Sequence, residues 1–183
     1  TDGALSALNK KKNLRLITVP DSEWDRDIRG WTMRESGDMI LFQERDEGFP
    51  ELDTLECVTS RKPSADEEKA LLLSWKLVKH IKSNGIVICD AHGTVGVGAG
   101  QMSRVDSCRI AVDKARRENM VIEGASAGSD AFFPFPDGVE YLVDAGVKCI
   151  IQPGGSINDE KVIRRAEELG ITMLLTGTRH FRH

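Results

Sequence analysis

Short runs rich in β-branched and aliphatic residues alternate along this chain with amphipathic helical stretches, and that alternation restricts the fold more than any other feature. Residues 13–19 (NLRLITV), 38–43, 86–90, 147–152 and 171–176 hold such runs, each bounded by glycine or polar residues, as buried strands are. Between them, residues 64–82, 104–118, 137–145 and 158–169 have helical patterning. Leu71, Trp75 and Val78 form the apolar stripe of the first, and Val105, Ile110 and Val112 that of the second. Ser64 with Glu67, Ser103 with Asp106 and Ser156 with Asp159 have capping-box spacing. Gly146 and Gly170 stand where a left-handed residue ends a helix. The pattern predicts an α/β domain with a mostly parallel central sheet. Residues 21–59 are less regular, and their Trp24, Trp31 and Phe49 would cover a sheet edge or bury against another subunit.

Composition narrows the class. With 183 residues, 40% hydrophobic and 30% charged, one domain with a sizeable core is expected, residues 1–60 forming a lead-in and 61–183 the regular unit. A formal charge of −4 argues against a nucleic-acid surface. No long apolar run or signal-peptide pattern is present, so no membrane association and a cytoplasmic location are expected. Cys57, Cys89, Cys108 and Cys149 lack C-x-x-C spacing and read as reduced core residues rather than metal ligands.

Four places combine polar chemistry with special backbone. Residues 93–108 (GTVGVGAGQMSRVDSC) read as a glycine-rich turn into a helix starting at Arg104. That is either a tight strand-to-helix turn or an anion site in which Arg104 adds a charged donor. The dinucleotide fingerprint fails because Gln101 stands where glycine is needed. Asn84, just before a strand, is either a turn residue or an amide facing a planar polar group. Residues 129–138 (SDAFFPFPDG) form a stiff apolar wall that ends at Asp137, either a helix-start residue or an aimed acceptor. Residues 152–159 (QPGGSIND) make a second glycine turn into a helix, of the kind that surrounds ligands at the carboxyl ends of strands. The last residues, TGTRHFRH, read as a frayed tail or as a docked one that brings Arg179 to an anion.

The phrases VKHIKSN, GTVGVGAGQMSRVDS, SDAFFPFPDG, AGVKCIIQPGGSINDE and TGTRHFRH closely resemble the carboxyl-terminal portion of the bifunctional purine biosynthesis family, which joins 5-aminoimidazole-4-carboxamide ribonucleotide (AICAR) formyltransferase to IMP cyclohydrolase. The resemblance runs from about Asn13 to His183. It implies a cytidine-deaminase-like three-layer α/β unit, the second of a pair. It also implies that Asn84, Arg104, Phe132 and Arg179 hold AICAR, with Asn84 the one catalytic position carried over. Val105, Asp137, Ser156 and Ile157 would surround 10-formyltetrahydrofolate, and Pro134 would wall the ring. The zinc-deaminase signature is missing, so no zinc is expected. The resemblance further implies a monovalent cation near the carboxyl terminus and a homodimer with shared sites.

The implied reaction is formyl transfer to the 5-amino group of AICAR, which needs a proton acceptor and an oxyanion stabiliser. In the family a Lys-His pair within K-H-x-x-P-x-G supplies these, and that motif is absent here, as is the cyclohydrolase domain. Lys79-His80 is the chain's Lys-His dipeptide, but it lacks the proline and glycine and is not assigned the role. Three readings stay open. The chain is the nucleotide- and folate-binding half, completed by a second polypeptide or subunit; or a stand-alone enzyme with His180 or His183 as base; or a binding module without turnover.

Overall fold

Residues 86–89 (Ile-Val-Ile-Cys) are completely buried, and their side chains enter two different apolar clusters in strict alternation. A strand of this kind is covered on both faces. The computed structural model describes residues 2–11, 13–17, 31–46, 48–50 and 54–182. The chain divides into two units, Thr1–Glu47 and Gly48–His183.

The first unit holds helix α1 (Asp2–Leu8) and an antiparallel hairpin of β1 (Trp31–Ser36) and β2 (Met39–Glu44). The hairpin turns through Gly37-Asp38 with Gly37 at φ +58°, as a two-residue loop requires. The strand expected over 38–43 is β2, one residue later. The strand expected over 13–19 does not form in residues 13–17; residues 18–19, like Trp24, lie outside the described residues. Trp31 is on the exposed strand β1.

The second unit runs β3 (Glu56–Cys57), α2 (Ala65–Val78), β4 (Ile86–Cys89), β5 (Thr94–Gly98), α3 (Arg104–Arg117), β6 (Ser126–Ser129), α4 (Asp137–Asp144), β7 (Cys149–Gln152), α5 (Asp159–Glu168) and β8 (Thr172–Leu175). Its six strands lie in the order β3-β8-β7-β6-β4-β5. β6, β7 and β8 are mutually parallel, β4 pairs antiparallel with both β6 and β5, and β3 antiparallel with β8. Most strands therefore share one direction, but the parallel pairing is confined to the centre.

Helix α2 covers one face through Leu71, Trp75 and Val78, against Val87, Cys89, Cys149, Ile151 and Leu174. On the other face Cys108, Ala111 and Val112 of α3, Leu142 of α4 and Val162 and Ala166 of α5 meet Ile86, Ile88, Ala127, Ile150 and Met173. The result is a three-layer α/β/α unit. Each large apolar side chain removed from water contributes about 1.5–3 kcal/mol. Among the described residues no helix is long and apolar enough to cross a membrane.

The glycine-rich stretch is the main correction to the sequence reading. Residues 94–98 are not a ligand-approaching turn but an edge strand, β5, packed under α3. A Cβ on Gly98 would collide with the Ser107 carbonyl, and one on Gly96 with that of Ala111. These glycines let helix and strand backbones touch. Gly128 of β6 does the same for α2, since a Cβ there would lie 2.7 Å from the Ser74 carbonyl carbon.

Helix ends follow their sequence signals unevenly. Ser64 and Glu67 form the expected reciprocal capping box on α2. Ser103 starts α3 without a side-chain cap bond, and Asn158 rather than Ser156 precedes α5. Ser156 instead accepts from the Asn158 N–H at 3.1 Å, and the Asp159 carboxylate reaches back to the Gly155 N–H at 2.6 Å. Helix α2 stops at Val78 with Lys79 as its C-cap, short of the expected residue 82. That leaves residues 79–85 to turn across the sheet.

Ahead of α2, Arg61 pins the chain over the amino ends of β7 and β8. Its guanidinium bonds the Glu67 carboxylate at 2.6 Å and the Thr172 hydroxyl at 2.8 Å. Burial pushes the Glu67 carboxyl up, but the bonds from Arg61 and Ser64 outweigh it and hold the group below its usual range.

Candidate functional site

At the opposite edge, where β6, β7 and β8 end, three backbone segments converge. They are the turn over 83–85, the loop over 130–136 and the tail over 176–182. The tail is docked: its Arg182 carbonyl accepts the Ser83 N–H at 3.0 Å, and the His180 N–H donates to the Asp130 carbonyl at 2.9 Å. Together with the start of α3 these segments enclose a cleft of about 470 Å³.

Seven of the nine residues singled out from the sequence line this cleft. Asn84, Arg104, Val105 and Phe132 are among them, as are Pro134, Asp137 and Arg179. Ser156 and Ile157 do not line it, and Ile157 is fully exposed. Their loop nevertheless borders the cleft wall: Asn158 Nδ2 donates to the Pro134 carbonyl at 2.9 Å, and a Cβ on Gly155 would sit 3.4 Å from an Arg179 nitrogen. Met102, Phe135 and Phe181 also line the cleft. Phe135 belongs to the apolar wall read from residues 129–138, whereas sequence patterning did not single out Met102 or Phe181 for this place, because nothing local separates an exposed apolar rim from an ordinary surface residue.

The two arginines are placed differently. Arg104 is buried, and its Nη1 donates to Asp130 Oδ1 at 2.5 Å and to Ser129 Oγ at 2.8 Å. Its Nη2 donates to Asn84 Oδ1 at 2.7 Å. Arg179 is exposed, lies over the Phe132 ring with its guanidinium 5.0 Å from the centroid, and pairs with no carboxylate among the described residues. A stacked guanidinium keeps its in-plane N–H donors available.

Asn84 is orientated by what surrounds it. Arg104 can only donate and the Gln101 carbonyl can only accept, so the amide oxygen faces Arg104 and Nδ2 faces Gln101, at 2.8 Å. Asp137 is exposed at the first position of α4, where the helix dipole favours a carboxylate. Its Oδ1 accepts from the Gly138 N–H at 2.8 Å. The loop wall is set from below: buried Gln152 Oε1 accepts the Phe133 N–H at 3.0 Å.

Among the described residues no histidine or lysine lines the cleft. His180, weighed from the sequence as a base, is 1% exposed and packs between Phe49 and Trp75, with ring centroids 5.2 and 5.8 Å away. It anchors the tail instead of facing the cleft. His183 lies outside the described residues. Phe49, expected to cover a sheet edge or bury against another subunit, packs instead on Trp75 of α2, with ring centroids 5.1 Å apart. His80 is exposed beyond the end of α2, away from the cleft lining. Burial pushes the Cys89 and Cys108 thiols up to about 12, so neither is a ready nucleophile. Among the described residues no group of three His, Cys, Asp or Glu is placed to hold a metal ion.

The family model described as AICARFT/IMPCHase bienzyme matches residues 1–114. This chain belongs to the AICARFT/IMPCHase bienzyme family. The assignment places it within purine biosynthesis, as the family resemblance implied. The matched stretch includes Asn84, Arg104 and Val105 of the cleft; Phe132, Pro134, Asp137 and Arg179 follow it. Among solved structures the chain is similar to a diaminohydroxyphosphoribosylaminopyrimidine deaminase/5-amino-6-(5-phosphoribosylamino)uracil reductase from Thermotoga maritima. That similarity has 18% identity and a TM-score of 0.37, and covers 58% of this chain and 34% of that one.

Proposed function

We propose that this chain supplies the nucleotide- and folate-binding half of a site for formyl transfer from 10-formyltetrahydrofolate to the 5-amino group of AICAR. The observation that carries the reading is the convergence of Asn84, Arg104, Phe132 and Arg179 with Val105, Pro134 and Asp137 on one cleft, from segments up to 95 positions apart in sequence. A cleft of this size suits a nucleotide-sized ligand. Arg179 is the available cation for an anionic group. Asn84, locked by Arg104, offers a directed amide to a planar carboxamide, and the Phe132 and Pro134 wall gives an apolar ring a flat surface. Asp137 accepts from the N–H edge of a pterin.

The amine of AICAR is electron-poor, so its proton must leave as the C–N bond to the formyl carbon forms. Among the described residues the cleft offers no histidine or lysine for that step. A second polypeptide or subunit carrying the Lys-His pair therefore completes the site. The burial of His180 between Phe49 and Trp75 weighs against it as the base of a stand-alone enzyme. The test is release of tetrahydrofolate from 10-formyltetrahydrofolate and AICAR, with this chain alone and mixed with a separate polypeptide bearing the Lys-His motif. Activity in the mixture only is the expected outcome; activity of the chain alone would overturn the two-part reading.

A further inference from the structure

We infer that Asp130 is a positioning residue of this site, acting on the nucleotide through Arg104; the identity of that nucleotide rests on the function proposed above. Asp130 is fully buried, and the ligand-facing elements meet at it. Oδ1 accepts from Arg104 Nη1 at 2.5 Å and from the Gly85 N–H at 3.0 Å, and Oδ2 accepts from the Ser83 hydroxyl. Its main-chain carbonyl takes the His180 N–H at 2.9 Å, one residue beyond Arg179. The turn bearing Asn84, the start of α3 and the tail are thus tied to one residue that stands two places before Phe132.

The charge matters because the ion pair is enclosed, with side chains 5% and 0% exposed. A buried guanidinium deprived of its counterion seeks water or another acceptor. The planar fork of Arg104 is held at one end by Asp130 and at the other holds Asn84 Oδ1, at 2.7 Å. Releasing the Asp130 end therefore turns the Asn84 amide as well. An asparagine at 130 keeps the shape, an oxygen acceptor for Gly85 and the main-chain bond to His180. It removes the charge that holds Arg104 and reverses the Ser83 bond, with Nδ2 donating to the hydroxyl, and it leaves docking of the tail untouched.

The experiment is calorimetric titration of the full chain with AICAR and, separately, with 10-formyltetrahydrofolate, for the wild type, Asp130→Asn, Arg104→Gln and the double variant, each with its thermal unfolding. Asp130→Asn is expected to bind AICAR at least about tenfold more weakly while folate affinity stays within about twofold, since a charged hydrogen bond is lost on the nucleotide side alone. The double variant is expected to bind AICAR about as weakly as Arg104→Gln, because effects transmitted through one residue do not add. Unchanged AICAR affinity in a folded Asp130→Asn protein, or equal losses for both ligands, overturns the proposal. If Asp130→Asn does not fold, Arg104→Lys leaves Asp130 a counterion but removes the planar fork that joins it to Asn84. A selective weakening of AICAR binding supports the inference there, and no change overturns it. A wild-type chain that binds no AICAR defeats the functional reading itself, and Asp130's role with it. A wild type that binds beside an unaffected Asp130→Asn defeats only the role of Asp130.

Discussion

The guanidinium of Arg179 lies over the ring of Phe132, 5.0 Å from its centroid, on a tail docked against the carboxyl ends of the strands. The contact fixes the plane of the cation without using its hydrogen-bond donors. Arg179→Ala is therefore expected to weaken AICAR binding by about 1.5–3 kcal/mol with little change in stability, because an exposed side chain is removed and one charged hydrogen bond is lost. Unchanged affinity by calorimetry would remove Arg179 from the site.

Asp137 lines the same cleft as Arg179, and the proposed function gives it to the folate. Asp137→Asn keeps the helix-start geometry of α4 but loses charge, so folate binding is expected to fall by about 1–2 kcal/mol and AICAR binding by much less. Titrating one protein with both ligands checks this, and equal losses would point to a disturbed helix.

Gly98 inside β5 and Gly93 just before it give the sharpest stability contrast. Gly98→Ala forces a Cβ into the Ser107 carbonyl, and neither backbone can yield without separating strand from helix; about 2 kcal/mol or more of destabilisation is expected. Gly93→Ala, with nothing within 4 Å of the added carbon, should change stability by less than about 0.5 kcal/mol. Urea denaturation of the two variants side by side measures the difference.

The Arg61–Glu67 bond at 2.6 Å makes stability depend on acid in a defined direction. The Glu67 carboxyl is held below its ordinary value of 4.5 in the folded protein. The stability it contributes is thus present above the unfolded value and lost as pH falls through the folded one. Glu67→Gln is expected to cost about 1–2 kcal/mol at neutral pH, from the loss of a charged bond and a capping contact. Its difference from the wild type should shrink below about pH 4. Urea midpoints across pH 2–7 follow this, and a constant difference would show that Glu67 acts without its charge.

Legibility differed from element to element for physical reasons. Strands β4, β7 and β8 are aliphatic runs whose burial on both faces follows from composition, and the helices were marked by apolar periodicity, by the Ser64–Glu67 box and by Gly146 and Gly170. Strand β6 (Ser-Ala-Gly-Ser) has no β-branched residue, because Gly128 must admit the backbone of Ser74. Strand β5 read as a loop for the same reason. In β1 the alternation of Trp31 and Met33 with Thr32 and Arg34, followed by Gly37-Asp38, was a usable hairpin signal.

In the cleft, Asn84, Arg104, Phe132 and Arg179 stood out as polar or aromatic groups beside special backbone, but their partners did not. Asp130 stands within the 129–138 motif with nothing local to mark it as fully buried, and His180 reads as an available base until Phe49 and Trp75 close around it.

The sequence by itself determined the α/β class, most helix ends and the segments that carry the cleft, because hydrophobic period, caps and turn glycines act over a few residues. Tertiary structure alone decided that Arg104 serves Asp130 while Arg179 remains available, and that the glycines meet a helix instead of a ligand. Those outcomes depend on distances between segments far apart in the chain, which packing sets and local pattern does not encode.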